Sequence, residues 1–250
     1  MIVIDLEDGV GAADKDKARL AVGDNAKDLF AKNVRVGLRI NALSTPDGIH
    51  DMAALLNWTD WPTVLVLPKV NSAADVIQYG NLLGKKAPRF LITLETALGI
   101  TNAVEILKVV PKNALVGYGS ADHMAETGGK MNEASLAWAR GQLVNAAACA
   151  SIPALDGVWL DYKDNTGLAE EASLVRDLGF SGKIAIHPNQ IETINKTFTP
   201  DDKELIHARQ MIIASEAAGG GAFSFKGKMV DAPVLARAYQ IVRFVERNKE

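Results

Sequence analysis

Short apolar runs alternate along the chain with longer stretches in which apolar residues recur every three or four positions. The runs lie at 2–4, 34–40, 63–67, 89–94, 114–118, 157–160 and 183–186. Runs of this length suit strands buried on both faces. Between them, 15–30, 49–58, 72–83, 100–109, 133–150, 167–178 and 190–195 carry helical periodicity. In the first helix Ala18, Ala21, Val22, Leu29 and Phe30 form the inner stripe. Thr45-Pro46-Asp47-Gly48 reads as a turn. Ser72 followed by Asp75 has the pattern of a capping box, and Gly179 closes the helix before it. Strands and helices alternating at this spacing predict βαβ units and a parallel sheet.

From 199 onward the alternation stops. Thr199-Pro200-Asp201-Asp202 starts a helix, with a capping Thr, Pro at the first helical position and acids in the first turn. That helix runs to about 218 and breaks at Gly219-Gly220-Gly221. Residues 222–230 alternate around a central Lys-Gly as a small hairpin, and Asp231-Ala232-Pro233 opens a last helix over 234–247. The division expected is a domain over 1–198 and a helix–hairpin–helix extension over 199–250.

At this length the α/β pattern fits a (β/α)₈ barrel or an open doubly wound sheet. No G-x-G-x-x-G follows any strand, so nothing points to a dinucleotide fold. Six of the seven runs end in polar candidates: Asp5/Glu7, Arg39, Lys69, Glu95, Asp122 and His187. A barrel gathers its strand C-termini into one ring, where its active sites lie. The pattern therefore favours the barrel, although seven strands is one short of eight.

Composition narrows the function classes. With 27 basic and 30 acidic residues the net charge is −3, and no basic run could track a phosphate backbone, which argues against nucleic acid. No apolar run is long enough to span a membrane and no secretory pattern opens the chain, so a cytoplasmic protein is expected. Cys149 is the sole cysteine; it excludes an internal disulfide and reads as a core residue.

Glu95 and Asp122 are hard oxygen donors at neighbouring strand ends, without His or Cys beside them. They suit Mg²⁺, which takes one or two carboxylates and keeps waters, or they cap a helix and a turn. Arg39 is a clamp for a substrate carboxylate, or the ion-pair partner of Asp5, Glu7 or Asp8. Asp5-Leu6-Glu7-Asp8 adds carboxylates near the cation, or is an ordinary acidic turn. Lys69 pairs with this acidic ring or faces substrate, and His187 is a hydrogen-bonded structural residue or a catalytic one. A metal, an arginine clamp and a carboxylate ring would chelate an oxo- or hydroxy-acid, with Lewis-acid chemistry next to a carbonyl.

Seven motifs carry a resemblance: VIDLEDGV at 3–10, LRIN at 38–41, LPKV at 67–70, LETALGI at 94–100, GSAD at 119–122, GKIAIHPNQI at 182–191 and GKMVDAP at 227–233. In this order they resemble the citrate lyase β-subunit-like branch of the HpcH/HpaI aldolase group, which includes malyl-CoA and citramalyl-CoA lyases. The resemblance implies a TIM barrel whose C-terminal extension is a lid that packs on a neighbour, in a homotrimer or hexamer. It implies Glu95 and Asp122 as Mg²⁺ ligands and Arg39 as the residue holding the acid's carboxylate. Glu7 would be an acid near the metal's waters, and the backbone at Ser120 and Ala121 would help hold the oxo-acid. His187 would lie near the acyl-CoA side, and Asp231 would be the acid/base delivered into the adjacent subunit's site. The implied substrates are an acyl-CoA or acyl-carrier-protein thioester and a 2-oxo acid. Relatives have one more strand and helix before DLED, so this chain is expected to lack the barrel's first unit. Two other readings are a CoA-independent class II aldolase and an inactive or regulatory oxo-acid-binding subunit.

Overall fold

A computed structural model describes residues 1–31, 35–219 and 221–247. The chain divides into two compact units, Met1–Ile194 and Asn195–Glu250. Val34, at the start of the second expected strand, and Gly220, in the glycine break, lie outside the described residues.

The elements begin with β1 (Ile2–Asp5), α1 (Lys15–Asp24), α2 (Ala26–Leu29), β2 (Val36–Arg39), α3 (Pro46–Asn57), β3 (Val64–Leu67) and α4 (Ala73–Leu83). β4 (Arg89–Leu94), α5 (Ala97–Thr101), α6 (Ala103–Lys108), β5 (Leu115–Tyr118), α7 (Ser120–Thr127) and α8 (Glu133–Ala150) follow. β6 (Ala154–Asp156), α9 (Asn165–Leu178), β7 (Gly182–Lys183) and α10 (Ile191–Phe198) complete the alternation. The second unit holds α11 (Asp202–Ala217), β8 (Phe223–Phe225), β9 (Lys228–Val230) and α12 (Ala232–Arg247).

β1 to β7 form one parallel sheet in sequence order. A doubly wound sheet reverses its order at a switch point, and none occurs here. Right-handed crossovers with an unreversed order put every helix on one face, which is the winding of a barrel. Among the described residues β1 pairs with β2 alone and β7 with β6 alone.

Alternate residues of each strand face opposite ways. Leu65, Leu67, Phe90, Ile92, Leu94 and Val116 are at most 1% exposed and pack toward the helices. Val64, Val66 and Leu91 form a second cluster with Leu115 and Leu155, on the inner face. In the second unit Ala208, Met211, Val230 and Ala238 form a separate core. Its hairpin turns at Lys226-Gly227, both with positive φ, as a two-residue hairpin turn requires.

Several boundaries depart from the pattern. The sixth strand is Ala154–Asp156, not 157–160. Asp156 interrupts the apolar run, yet it is fully buried, because Arg140 and Lys183 neutralise it. The seventh strand is Gly182–Lys183, not 183–186. Thr45-Pro46-Asp47-Gly48 is the cap and first turn of α3. Asn25 and Asn102 each divide an expected long helix in two. α11 is capped by Asp201 with Glu204 in a capping box, two residues later than Thr199. Cys149 is exposed, because the buried face of α8 runs through Leu136, Ala139, Arg140, Leu143, Ala146 and Ala147 and 149 falls on its other side. α7 was not foreseen, since Gly-Ser-Ala-Asp reads as a turn.

Candidate active site

The strand ends β1 to β5 bring acids and bases together at one end of the sheet. Asp5 and Arg39 are register partners, so their side chains lie side by side. Arg39 Nε donates to Asp5 Oδ1 at 2.8 Å and Nη2 to Oδ2 at 2.6 Å. Burial pushes the Asp5 carboxyl up, but the Arg39 guanidinium and the N–H groups of Glu7 and Gly9 outweigh it and hold it below its ordinary 3.8. A guanidinium carries five N–H donors. Asp5 takes two of them, and Nη1 lies 3.0 Å from Glu7 Oε2. At least two N–H groups therefore stay available for another anion.

Glu7 is 4% exposed. Its Oε1 receives Lys69 Nζ at 2.7 Å. Its Oε2 faces Arg39 without hydrogen-bond alignment and is a buried oxygen with no hydrogen bond. Burial raises the Glu7 carboxyl despite Lys69 and Arg39. Arg39 and Lys69 thus occupy the ion pairs that were the alternative to substrate binding.

Glu95 continues the inner-face parity of Leu91 and Thr93 just past the end of β4. It is 2% exposed, and its Oε1 accepts the Lys69 N–H at 2.6 Å. Burial pushes it up to about 8, and the negative charges of Glu7 and Asp122 add to the shift, against the Lys69 N–H. Asp122 therefore lies within electrostatic reach of Glu95; it sits half-buried in the first turn of α7.

Two glycines give this corner its room. A Cβ on Gly119 would lie 2.2 Å from Glu95 Cβ and 2.4 Å from Oε2. A Cβ on Gly157 would lie 2.3 Å from Ser120 Oγ, a buried hydroxyl oxygen without a partner. The N–H groups of Ser120 and Ala121 fall in the first turn of α7, where no intrahelical acceptor exists. Tyr118 Oη and His123 Nδ1, 2.8 Å apart, tie α7 to β5.

The arrangement fits a hard cation. Glu95 and Asp122 are carboxylates within electrostatic reach of each other, Glu7 Oε2 faces Arg39 without a hydrogen bond, and Gly119 leaves space against Glu95. Among the described residues no three His, Cys, Asp or Glu side chains form a ready-made cage, so an ion here would keep water ligands.

His187 caps the short turn after β7, its Nδ1 accepting the Asn189 N–H at 3.1 Å, and stacks on Tyr162 with ring centroids 4.6 Å apart. Asp231 belongs to the second unit and precedes α12, where its Oδ1 lies 3.4 Å from the Val234 N–H. Sequence reasoning missed the Lys69 N–H and the two clearance glycines. Gly directly after β5 and after β6 was the signal available.

Residues 1–188 match the family described as HpcH/HpaI aldolase/citrate lyase, and 141–244 match the C–C bond lyases of the TIM-barrel fold. The citrate lyase subunit beta-like protein of Mycobacterium tuberculosis (strain CDC 1551) is 38% identical over 97% of this chain and 86% of its own. The mitochondrial citramalyl-CoA lyase of Homo sapiens is 33% identical over 99% of this chain and 79% of its own. The crystal structure of CitE from M. tuberculosis in complex with magnesium, acetoacetate and coenzyme A superposes with a TM-score of 0.81 at 35% identity, covering 96% of this chain and 88% of that one. No described helix is long and apolar enough to cross a membrane.

Proposed function

The chain belongs to the HpcH/HpaI aldolase/citrate lyase family, a family of carbon–carbon lyases, and from that membership we propose a Mg²⁺-dependent lyase acting on a 3-hydroxyacyl thioester. Citryl-, malyl- or citramalyl-CoA would be cleaved to an acyl-CoA and a 2-oxo acid, or formed from them. The observation that carries this reading is Glu95: a buried carboxyl held near 8 beside Asp122 and Glu7 is a group whose charge needs a cation.

Glu95 and Asp122 would hold Mg²⁺, with Glu7 Oε2 accepting from its waters, and the chemistry the ion supplies there is Lewis-acid stabilisation of oxygen charge. Arg39 keeps its pair with Asp5 and donates its remaining N–H groups to the oxo-acid's carboxylate. Ser120 and Ala121 supply N–H donors from the start of α7. In cleavage the hydroxyl gives up its proton to solvent, its carbon becomes the oxo-acid carbonyl, and the carbon–carbon bond breaks with its electron pair on the thioester's α-carbon. Asp231, delivered by an adjacent subunit of a trimer or hexamer, protonates the α-carbon; in condensation it removes that proton. A thioester makes this carbon acidic enough for a carboxylate. His187 lines the acyl side.

The test is incubation with Mg²⁺ and citryl-, malyl- and citramalyl-CoA while free 2-oxo acid is followed. Release from one of them is expected. No turnover on any, with oxaloacetate or pyruvate still bound, would replace the lyase by a binding subunit. Turnover that survives Asp231→Ala would remove the acid/base role.

A further inference from the structure

Three non-glycine residues among those described have left-handed backbones: Lys69 (φ 51°), Ser151 (φ 57°) and Lys226 (φ 49°). Two have local causes. Ser151 is the left-handed cap that ends α8, and Lys226 is a turn residue of the β8–β9 hairpin. Lys69 ends no helix and turns no hairpin. It stands two residues past β3, at the mouth of the sheet. A left-handed non-glycine residue carries a steric cost, which persists only where the surroundings over-determine it.

At Lys69 three contacts supply that determination. The backbone N–H lies 2.6 Å from Glu95 Oε1, and the ammonium lies 2.7 Å from Glu7 Oε1 and 3.4 Å from Asp8 Oδ1. An extended chain would give Lys69 the parity of Leu65 and Leu67, which face the helices. The left-handed turn lets the N–H meet Glu95 after β4 while the side chain turns toward the carboxylates after β1. Glu7 meets Lys69 at Oε1 and faces the Arg39 guanidinium at Oε2. Glu95 takes the Lys69 N–H at Oε1, and its Oε2 lies at the clearance that Gly119 provides.

We propose that Lys69 is a positioning residue whose left-handed backbone fixes Glu95 through Oε1, turning its second oxygen toward the cation site. This rests on the reading of Glu95 as a cation ligand. It goes further by assigning the orientation of that ligand to one backbone N–H and one strained φ.

The experiment compares wild type, Lys69→Gly, Lys69→Val and Glu95→Leu as whole chains, metal-free and with Mg²⁺ alone. Glycine keeps the turn and the N–H without the ammonium, whereas β-branched valine opposes the turn. In metal-free protein the Lys69 amide proton, followed by ¹⁵N-lysine NMR, is expected to lie downfield and exchange slowly. It should lose both properties in Glu95→Leu, which has no acceptor. An amide indifferent to Glu95→Leu overturns the proposal whether or not metal binds. By calorimetry Lys69→Gly should bind Mg²⁺ close to wild type, and Lys69→Val roughly 10–100-fold more weakly, as for other groups that orient metal ligands. Equal affinity of the two variants also overturns it. A Glu95-dependent amide in a wild type that binds no Mg²⁺ would overturn the metal reading instead and leave the Lys69–Glu95 tie standing.

Discussion

Two clusters of buried charge occupy the first unit, and they differ in balance. Behind β6 and β7, Arg140 donates to both oxygens of Asp156 at 2.9 and 3.0 Å and meets Glu171 at 3.0 Å. Lys183 meets Asp156 at 2.5 Å and Glu171 at 2.6 Å. Two cations face two anions, and both carboxylates are filled. At the strand mouths the carboxylates are Asp5, Glu7, Asp8, Glu95 and Asp122, against Arg39 and Lys69. A third cation, Lys15, spends its ammonium on the carbonyls of Leu6 and Glu7 and on Asn41. One cluster balances its charges, although Arg140 Nη1 is buried without a hydrogen bond; the other keeps an excess of negative charge, with Glu7 Oε2 facing Arg39 without a hydrogen bond. The same residue types therefore serve as a staple where charges cancel and as a candidate site where they do not.

That contrast is broken most severely at the staple. Lys183→Met leaves Asp156 and Glu171 to Arg140 alone and should cost about 3–5 kcal/mol in urea unfolding. The folded fraction should keep its Mg²⁺ affinity. A cost under about 1 kcal/mol would deny that the quartet holds the short β7 in place. Next is Gly119→Ala, whose methyl has no room beside Glu95. About 1–3 kcal/mol of stability should go, together with calorimetric Mg²⁺ binding; retention of that binding would move the cation elsewhere.

Glu95→Gln tests the imbalance itself. Glu95 has a folded pKa of about 8, above its ordinary 4.5. Its contribution to metal-free stability is therefore full below 4.5 and is lost as pH rises through 8. The variant should melt higher than wild type at pH 9 and gain little at pH 5, and added Mg²⁺ should raise the wild-type Tm alone. A pH-independent difference would contradict the crowding of charge at this corner. The smallest effect belongs to Asp5→Asn. Asp5 has a lowered pKa, so its stabilisation is present above 3.8 and vanishes as pH falls through the lowered value. The gap between variant and wild type in acid titrations should close there, and a gap that widens in acid would refute the Asp5–Arg39 pairing.

The elements most legible in the sequence were those whose neighbours impose no charge. β3, β4 and β5 are continuous apolar runs because both faces are covered, and the Ser72–Asp75 capping box forms as written. The acids and bases at the strand ends were legible as candidates because polar residues directly after buried strands stand out. β6 and β7 were misplaced because Asp156 and Lys183 look like strand ends until each is seen to bury the other. α7 was missed because Ser-Ala-Asp carries the same local signal for a turn as for a first helical turn.

By itself the sequence determined the alternation of strand and helix, the caps, and the residue types available at the mouth, since these depend on neighbours a few positions away. Only the tertiary structure decided which carboxylates receive a cation and which stay in excess. That depends on partners from different strands: Asp5 on Arg39, Glu7 on Lys69, Glu95 on the Lys69 backbone. No local pattern encodes a left-handed lysine. Its φ is set by two acids, one 26 positions away in the chain and the other on the first strand's loop, and it exists only once the sheet has brought them together.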